Sequence, residues 1–383
     1  MDYVTAGESH GRVLTAIVTG VPAGVVIDAA TIDADLARRQ SGYGRGGRQR
    51  IETDKASILS GVRFGRSIGT PIALAISNRD WDNWTDVMAV SGDQPDSIRE
   101  VRPRPGHADL PGVMKIGSDD TRDILERASA RETAARVAAG GVAKAFLSAL
   151  GVEVRSYVSA IGGETMGQAD DPGSVDQTAV ERSEVRCPDS EASVRMMRAI
   201  DAAKQAGESL GGVFVVTATG CLPGVGGYAE ARLRLDSQLA AALMSIPAIK
   251  GVEIGDGFAL AAAPGSAAHD EILFDATDGV HRRTNHAGGI EGGMTNGETL
   301  VVRAAMKPIP TLMKPLSSID LDTNEPVLAS TERSDVCAVP AAAVVAEAEV
   351  AFVLARAYLD KFGHDAVDDI VTAVESYRAR VLR

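Results

Sequence analysis

The sequence predicts a mixed helix-and-strand fold built from two related halves. Three observations point there. Apolar, β-branched runs alternate along the chain with Ala-rich stretches of helical composition. A motif, Gly7-Glu8-Ser9-His10-Gly11, recurs as Gly207-Glu208-Ser209-Leu210-Gly211, and at the same offset Val13, Thr19, Gly20 and Gly24 match Val213, Thr219, Gly220 and Gly224. No linker divides the chain, so the halves are expected to form one domain over residues 1–383.

The elements follow in order. Val13 to Val26 breaks at Gly20-Val21-Pro22-Ala23-Gly24, which predicts two strands about a turn. Ile32 to Arg39 reads as a short helix, and Ile58 to Ile76 is strand-rich. Asp120 to Leu150 reads as one long Ala-rich helical stretch. Residues 162–190, rich in Gly and Asp, predict an exposed excursion. Val213–Thr219 and Thr299–Ala305 read as strands and Ser237–Met244 as helix. Ala338 to Phe362 predicts a second long helix, with Pro340 suited to its first turn.

Composition narrows the class. Hydrophobic residues are 45% and charged residues 24% of 383, which argues against disorder. The net charge of −13 argues against general nucleic-acid binding. No run of 18 apolar residues predicts a membrane span. Cys187, Cys221 and Cys337 are too few and scattered for a disulfide framework or a zinc cage. With no leader pattern at the start, a cytoplasmic setting is expected.

Several constellations could carry chemistry. His10 sits between glycines, in a turn that could present an imidazole for proton transfer, although a lone histidine is as readily structural. Between Arg38 and Arg50 lie five arginines and no acid, on a Gly-rich loop. Arginine forks on such a loop suit an anion with several charged groups, and the same composition fits a solvated basic loop. Gly42-x-Gly44-x-x-Gly47 matches the dinucleotide fingerprint only formally, because helix precedes it and strand follows. Arg102 to Gly112 is a rigid loop holding His107. Arg127 and Arg131 share a helix face, with Ala128 and Ser129 between them. Asn285 to Gly297 is glycine-rich, either a backbone cradle or a mobile loop. Lys307-Pro308-Ile309-Pro310-Thr311 is a stiff strand end carrying a cation. Asp335, just before the last long helix, is a candidate acid or simply a helix-start residue. There is no P-loop, HExxH pair or GxSxG elbow. A phosphate- or carboxylate-binding enzyme with two or three proton-transfer groups remains.

Taken together, GESHG (7–11), RRQSGYGRGGRQRIETD (38–54), RPGHAD (104–109), RASARETAARVAAG (127–140), IKGVEIGDGF (249–258), NHAGGIEGG (285–293) and RSDVCAVP (333–340) closely resemble the chorismate synthase family, in the family's order. The resemblance covers Gly7 to about Phe362. It implies an α+β sandwich with helices between antiparallel sheets, assembled as a homotetramer. It implies an anti-1,4-elimination converting 5-enolpyruvylshikimate 3-phosphate to chorismate and phosphate, dependent on reduced FMN without net redox change. His10, His107 and Asp335 would then be catalytic: His10 towards the departing phosphate, His107 at the flavin, Asp335 assisting deprotonation at the flavin N5. Ser9, Arg39, Arg45, Arg48, Arg131 and Arg333 would bind substrate. Arg127, Ala128, Ser129, Pro247, Ala248, Gly292, residues 307–311 and Arg333 would hold FMN. Pro247, Ala128 and Pro310 depart from residues frequent in the family, and Pro310 lacks a backbone donor. Reduced FMN would come from a separate flavin reductase, with NADPH acting only through it. The rival readings are a non-catalytic phosphometabolite- or flavin-binding protein, which would need neither histidine, and an NAD-dependent oxidoreductase.

Overall fold

The structure, a computed structural model, describes residues 1–46, 53–167, 169, 171–276, 279–331 and 335–381. The first sheet contains β1 (Asp2–Ala6), β2 (Val13–Thr19), β3 (Ser57–Ile58) and β4 (Ile72–Ser77), with α1 (Ala29–Gln40) between β2 and β3. Its order is β1-β2-β4-β3, and every pair is antiparallel. The period of two in the sequence sets its faces. Leu14, Ala16 and Val18 of β2 and Ile72, Leu74 and Ile76 of β4 point into the core, while Val4 and Ile17 are exposed on the other face.

The second strand expected before Val26 does not form. Ala23 and Val26 make only isolated bridges, to Ala366 and Arg66. Gly20 and Gly24 take left-handed φ values of 68° and 90°, and Pro22 has no N–H to give a ladder. Their counterparts Gly220 and Gly224 take 76° and 79°, so the two copies turn alike.

The chain continues through α2 (Asp109–Ile116), α3 (Arg122–Ala128) and α4 (Thr133–Ala149). The helical stretch from Asp120 to Leu150 is therefore interrupted. Ser129 is extended (ψ 144°), and its hydroxyl accepts the Arg131 N–H at 3.3 Å. A serine that bonds nearby backbone in this way ends one helix and starts another turn. The break also separates Arg127, in the last turn of α3, from Arg131, so the two do not share a helix face.

The second sheet contains β5 (Glu153–Ile161), β6 (Glu164–Thr165), β7 (Gly212–Thr219), β8 (Ile249–Ile254) and β9 (Leu300–Met306). Its order is β8-β9-β7-β5-β6, again antiparallel. Between its strands run α5 (Gln177–Arg182), α6 (Ser190–Ala206) and α7 (Leu235–Met244); α8 (Val339–Phe362) and α9 (Val367–Val381) follow. Within 162–190 the expected exposure holds only in part. Val180, Val185, Arg186 and Cys187 are buried, because α5 lays Val180 against Tyr157, Val215 and Val301.

Two helices fill the space between the sheets. α4 packs on β2 and β4, α8 packs on β5 and β7, and α4 packs on α8. Small residues allow the close crossing: a Cβ on Gly140 would come within 2.2 Å of the Ala348 Cβ. Pro340 occupies the first turn of α8. Among the described residues no helix is long and apolar enough to cross a membrane.

Candidate active site

The loop after β1 is built to hold one imidazole. Gly7 takes a φ of 104°, and a side chain there would meet the Val13 carbonyl at 2.3 Å. The Ser9 N–H donates to Glu126 O at 2.9 Å, and Asn78 Nδ2 donates to Gly11 O at 2.6 Å. His10 is thereby set against the end of α3. Its N–H donates to Glu126 Oε2 at 2.8 Å, and its Nδ1 lies 3.0 Å from each Glu126 oxygen. Burial pushes the Glu126 carboxyl up, but the hydrogen bonds from His10 and the charge of Arg122 outweigh it and hold it below its ordinary range. An ionised carboxylate can only accept, so Nδ1 carries a hydrogen. The ring stacks on Trp84 at 3.7 Å between centroids and 20° between planes.

The arginines converge beside this loop. Arg131 Nη1 donates to both Asp54 oxygens at 2.6 and 2.7 Å, and its Nε donates to Asn78 Oδ1 at 2.9 Å. Arg39 Nη2 donates to Asp54 Oδ2 at 3.0 Å. Two buried guanidinium groups thus share one buried carboxylate. Burial pulls Arg39 down to about 10, against the attraction of Asp54 and with the repulsion of Arg131 and Arg45. Positive charge held out of water favours an anion alongside it. Arg45 pairs with Asp335 at 2.8 Å. The Nε atoms of Arg39 and Arg45 are buried with no partner among the described residues. Arg48 and Arg333 lie outside the described residues.

Asp335 is not a helix-start residue. α8 begins after Ala338 without a side-chain cap, and the Asp335 carboxylate instead accepts the Gly46 N–H at 2.6 Å.

His107 is held by the same logic as His10. Its Nδ1 bonds Asp109 Oδ1, and Asp109 also accepts from Arg104 Nε at 2.9 Å. Burial pushes the Asp109 carboxyl up, yet the His107 and Arg104 bonds prevail and hold it at about 2. Residues 307–311 lie against this loop. Lys307 Nζ donates to Gly106 O at 2.6 Å, and Arg104 Nη1 donates to Thr311 Oγ1 at 3.2 Å. The Pro310 Cβ would lie 3.6 Å from a Cβ on Gly106. Pro247 and Ala248 adjoin, with Ala248 O accepting the Lys307 N–H at 2.9 Å. The second copy of the motif joins the groups: Ser209 Oγ donates to Ile309 O at 2.6 Å, and the Leu210 N–H donates to Val336 O at 2.8 Å.

Ser9, His10, Arg39, Ser129 and Arg131 therefore form one network, in which Ser129 Oγ donates to Ser9 Oγ at 3.1 Å. His107, Pro247, Ala248 and residues 307–311 form a second, and Val336, next to Asp335, meets both. Arg127 is used differently: it donates to Gly7 O at 3.0 Å and Thr5 O at 2.9 Å, fastening the loop to β1, and Ala128 follows it at the end of α3. Gly292 stands apart, on a tight hairpin (Ile290 to Thr295) near the start of α7. In the Asn285–Gly297 loop, Asn285 Oδ1 accepts from Gly289 and His286 Nδ1 meets Asp256 at 2.6 Å, so much of its polarity is spent on itself. Sequence reasoning singled out neither Glu126, Asp109, Asp54, Asn78 nor Trp84. Asp109, two residues from His107, and Asp54, at the end of the 38–54 motif, carried a signal; the others are brought in by folding.

The chorismate synthase family model matches residues 1–359. Chorismate synthase of Moorella thermoacetica is 57% identical, with 98% of each chain covered. That of Symbiobacterium thermophilum is 53% identical over all of both chains. A crystal structure of chorismate synthase superposes with a TM-score of 0.81 at 42% identity, covering 99% of this chain and 98% of the other. The chain belongs to the chorismate synthase family, lyases of the shikimate pathway.

Proposed function

We infer that this enzyme eliminates phosphate from 5-enolpyruvylshikimate 3-phosphate by an anti-1,4 route to give chorismate, with reduced FMN bound and no net redox change. The observation that carries this is the buried Arg39–Asp54–Arg131 cluster, hydrogen-bonded through Asn78 to the loop that holds His10. The unpartnered Nε atoms of Arg39 and Arg45 are donors for a phosphate or carboxylate. The substrate has one phosphate and two carboxylates.

Reduced FMN, when bound, supplies the electron density that lets phosphate leave the allylic position of an otherwise neutral ring. The Lys307 cation, bonded to the Gly106 carbonyl beside His107, fits an anionic ligand. Ala128, Ser129, Pro247, Ala248, Gly292 and residues 307–311 would hold it. Arg127 serves by fastening the Gly7 loop, and Arg333 is assigned from the resemblance alone. His10 offers a proton from Nε2 to the departing phosphate. His107, its Nδ1 occupied by Asp109, offers Nε2 towards the flavin. Asp335 accepts a proton once Arg45 turns to the substrate. Fixed charges at these points stabilise what develops during the reaction.

The same reading makes the two sheets and paired helices a sandwich of pseudo-symmetric layers in one domain, and the enzyme a cytoplasmic homotetramer. The exposed Val4 and Ile17 on the outer face of the first sheet support burial against another copy. A separate flavin reductase, drawing on NADPH, would keep FMN reduced.

The test is an anaerobic assay with chemically reduced FMN, following chorismate absorbance and phosphate release together. Equal appearance of both, with no net flavin oxidation and none with oxidised FMN, is expected. Substrate and flavin binding without product would leave a binding protein.

A further inference from the structure

An imidazole has two nitrogens, and proton donation requires that one of them be aimed at the ligand. We propose that Glu126 is the positioning residue for His10: it keeps Nδ1 protonated and turned inward, so that Nε2 is the atom His10 presents. This rests on the reading of His10 as proton donor and extends it to a residue that touches no ligand.

The geometry is specific. Glu126 is 2% exposed, yet both of its oxygens are committed to His10, one of them to the ring and the backbone N–H at once. Trp84 fixes the plane of the ring but not its direction. A ring flip about Cβ–Cγ would keep the stack and lose the bonds to the carboxylate, so the Glu126 bonds favour one orientation of the ring. Arg122, one turn earlier on α3, donates to Glu126 Oε1 at 3.3 Å, and its guanidinium lies 5.6 Å from the Trp84 ring centre. It keeps the carboxylate ionised and hence an acceptor. Charged groups near His10 among the described residues include Glu126 and Arg122 on α3, Glu8 on its own loop, and Asp80, which accepts from Trp84 Nε1 at 3.0 Å. Glu126 bonds the imidazole directly.

The tautomer can be read directly. In the full chain labelled with nitrogen-15 histidine, the two ring nitrogens resonate apart when only one carries hydrogen, and the His10 signals are those missing in His10→Gln. The parent should show His10 with its hydrogen on Nδ1, and Glu126→Met, which offers no acceptor, should lose that preference. In the assay above, Glu126→Gln should lower kcat about 10- to 100-fold with KM nearly unchanged. A parent that carries the hydrogen on Nε2 overturns the proposal, as does a Glu126→Met spectrum identical to the parent's, or a raised KM at unchanged kcat. The spectrum does not depend on turnover. A fully active His10→Gln enzyme would remove the donor role, whereas an unchanged tautomer would remove the role of Glu126, so the two failures are separate results.

Discussion

Arg45 Nη1 lies 2.8 Å from the Asp335 carboxylate, tying the anion-binding loop after α1 to the segment that enters α8. The Val336 N–H donates to Gly44 O at 2.8 Å, and the Leu210 N–H to Val336 O at 2.8 Å, so three stretches remote in sequence are laced together there. Asp335 is a counter-charge of Arg45.

Asp335→Ala should therefore leave a buried cation unmatched, at a cost on the order of 3 kcal/mol. Inorganic phosphate should recover part of the lost melting temperature. A variant that melts like the parent, with or without phosphate, would contradict this account of the loop.

His10→Ala and His107→Ala should each lower turnover by about 10²–10⁴-fold. Substrate affinity should change little, because the anion is held by arginines. Equilibrium binding under anaerobic conditions, beside kcat, separates the two quantities.

Asp54 stands between Arg39 and Arg131 and is itself buried. Asp54→Asn removes the carboxylate that both guanidinium groups bond. Chemical denaturation should show a loss of about 3–5 kcal/mol. A loss under about 1 kcal/mol would mean that the guanidinium groups are already neutralised by something else.

Asp109 titrates at about 2 in the fold, against an ordinary 3.8. Its carboxyl is depressed, so its stabilisation is present above the ordinary value and lost as pH falls through about 2. The parent should exceed Asp109→Asn in urea stability most above pH 3.8, and the two should converge towards pH 2. Parallel curves across that window would refute the coupling to His107 and Arg104.

Gly140→Val should separate α4 from α8, since even a Cβ meets Ala348 at 2.2 Å. Overpacking of this kind costs about 1–3 kcal/mol. The melting temperature should fall, and Ala348→Gly should restore part of it.

The major strands and long helices were legible because period-two and helical patterns are local. β2, β4, β7, β9, α1, α7 and α8 follow apolar residues spaced to bury one face or, in α8, nearly all of it. The break at Ser129 was not legible, because a serine in an Ala-rich run reads as helix until its hydroxyl finds the Arg131 N–H. The buried part of 162–190 was missed for a related reason: Gly and Asp predict exposure, and only contact with Tyr157 and Val301 draws Val180 inward.

The sequence by itself determined the family, the two histidines, the arginine loop and the paired glycines, since these are contiguous motifs whose residue types carry their own chemistry. Tertiary structure alone decided what each group faces. Glu126 and Trp84 are ordinary residues in sequence, and Asp54 only ends the 38–54 motif. They acquire roles because folding buries a carboxylate behind His10, another between two arginines, and an indole on an imidazole face. A buried charge or ring is defined by its partners, and partners separated by many residues leave no pattern in a single chain.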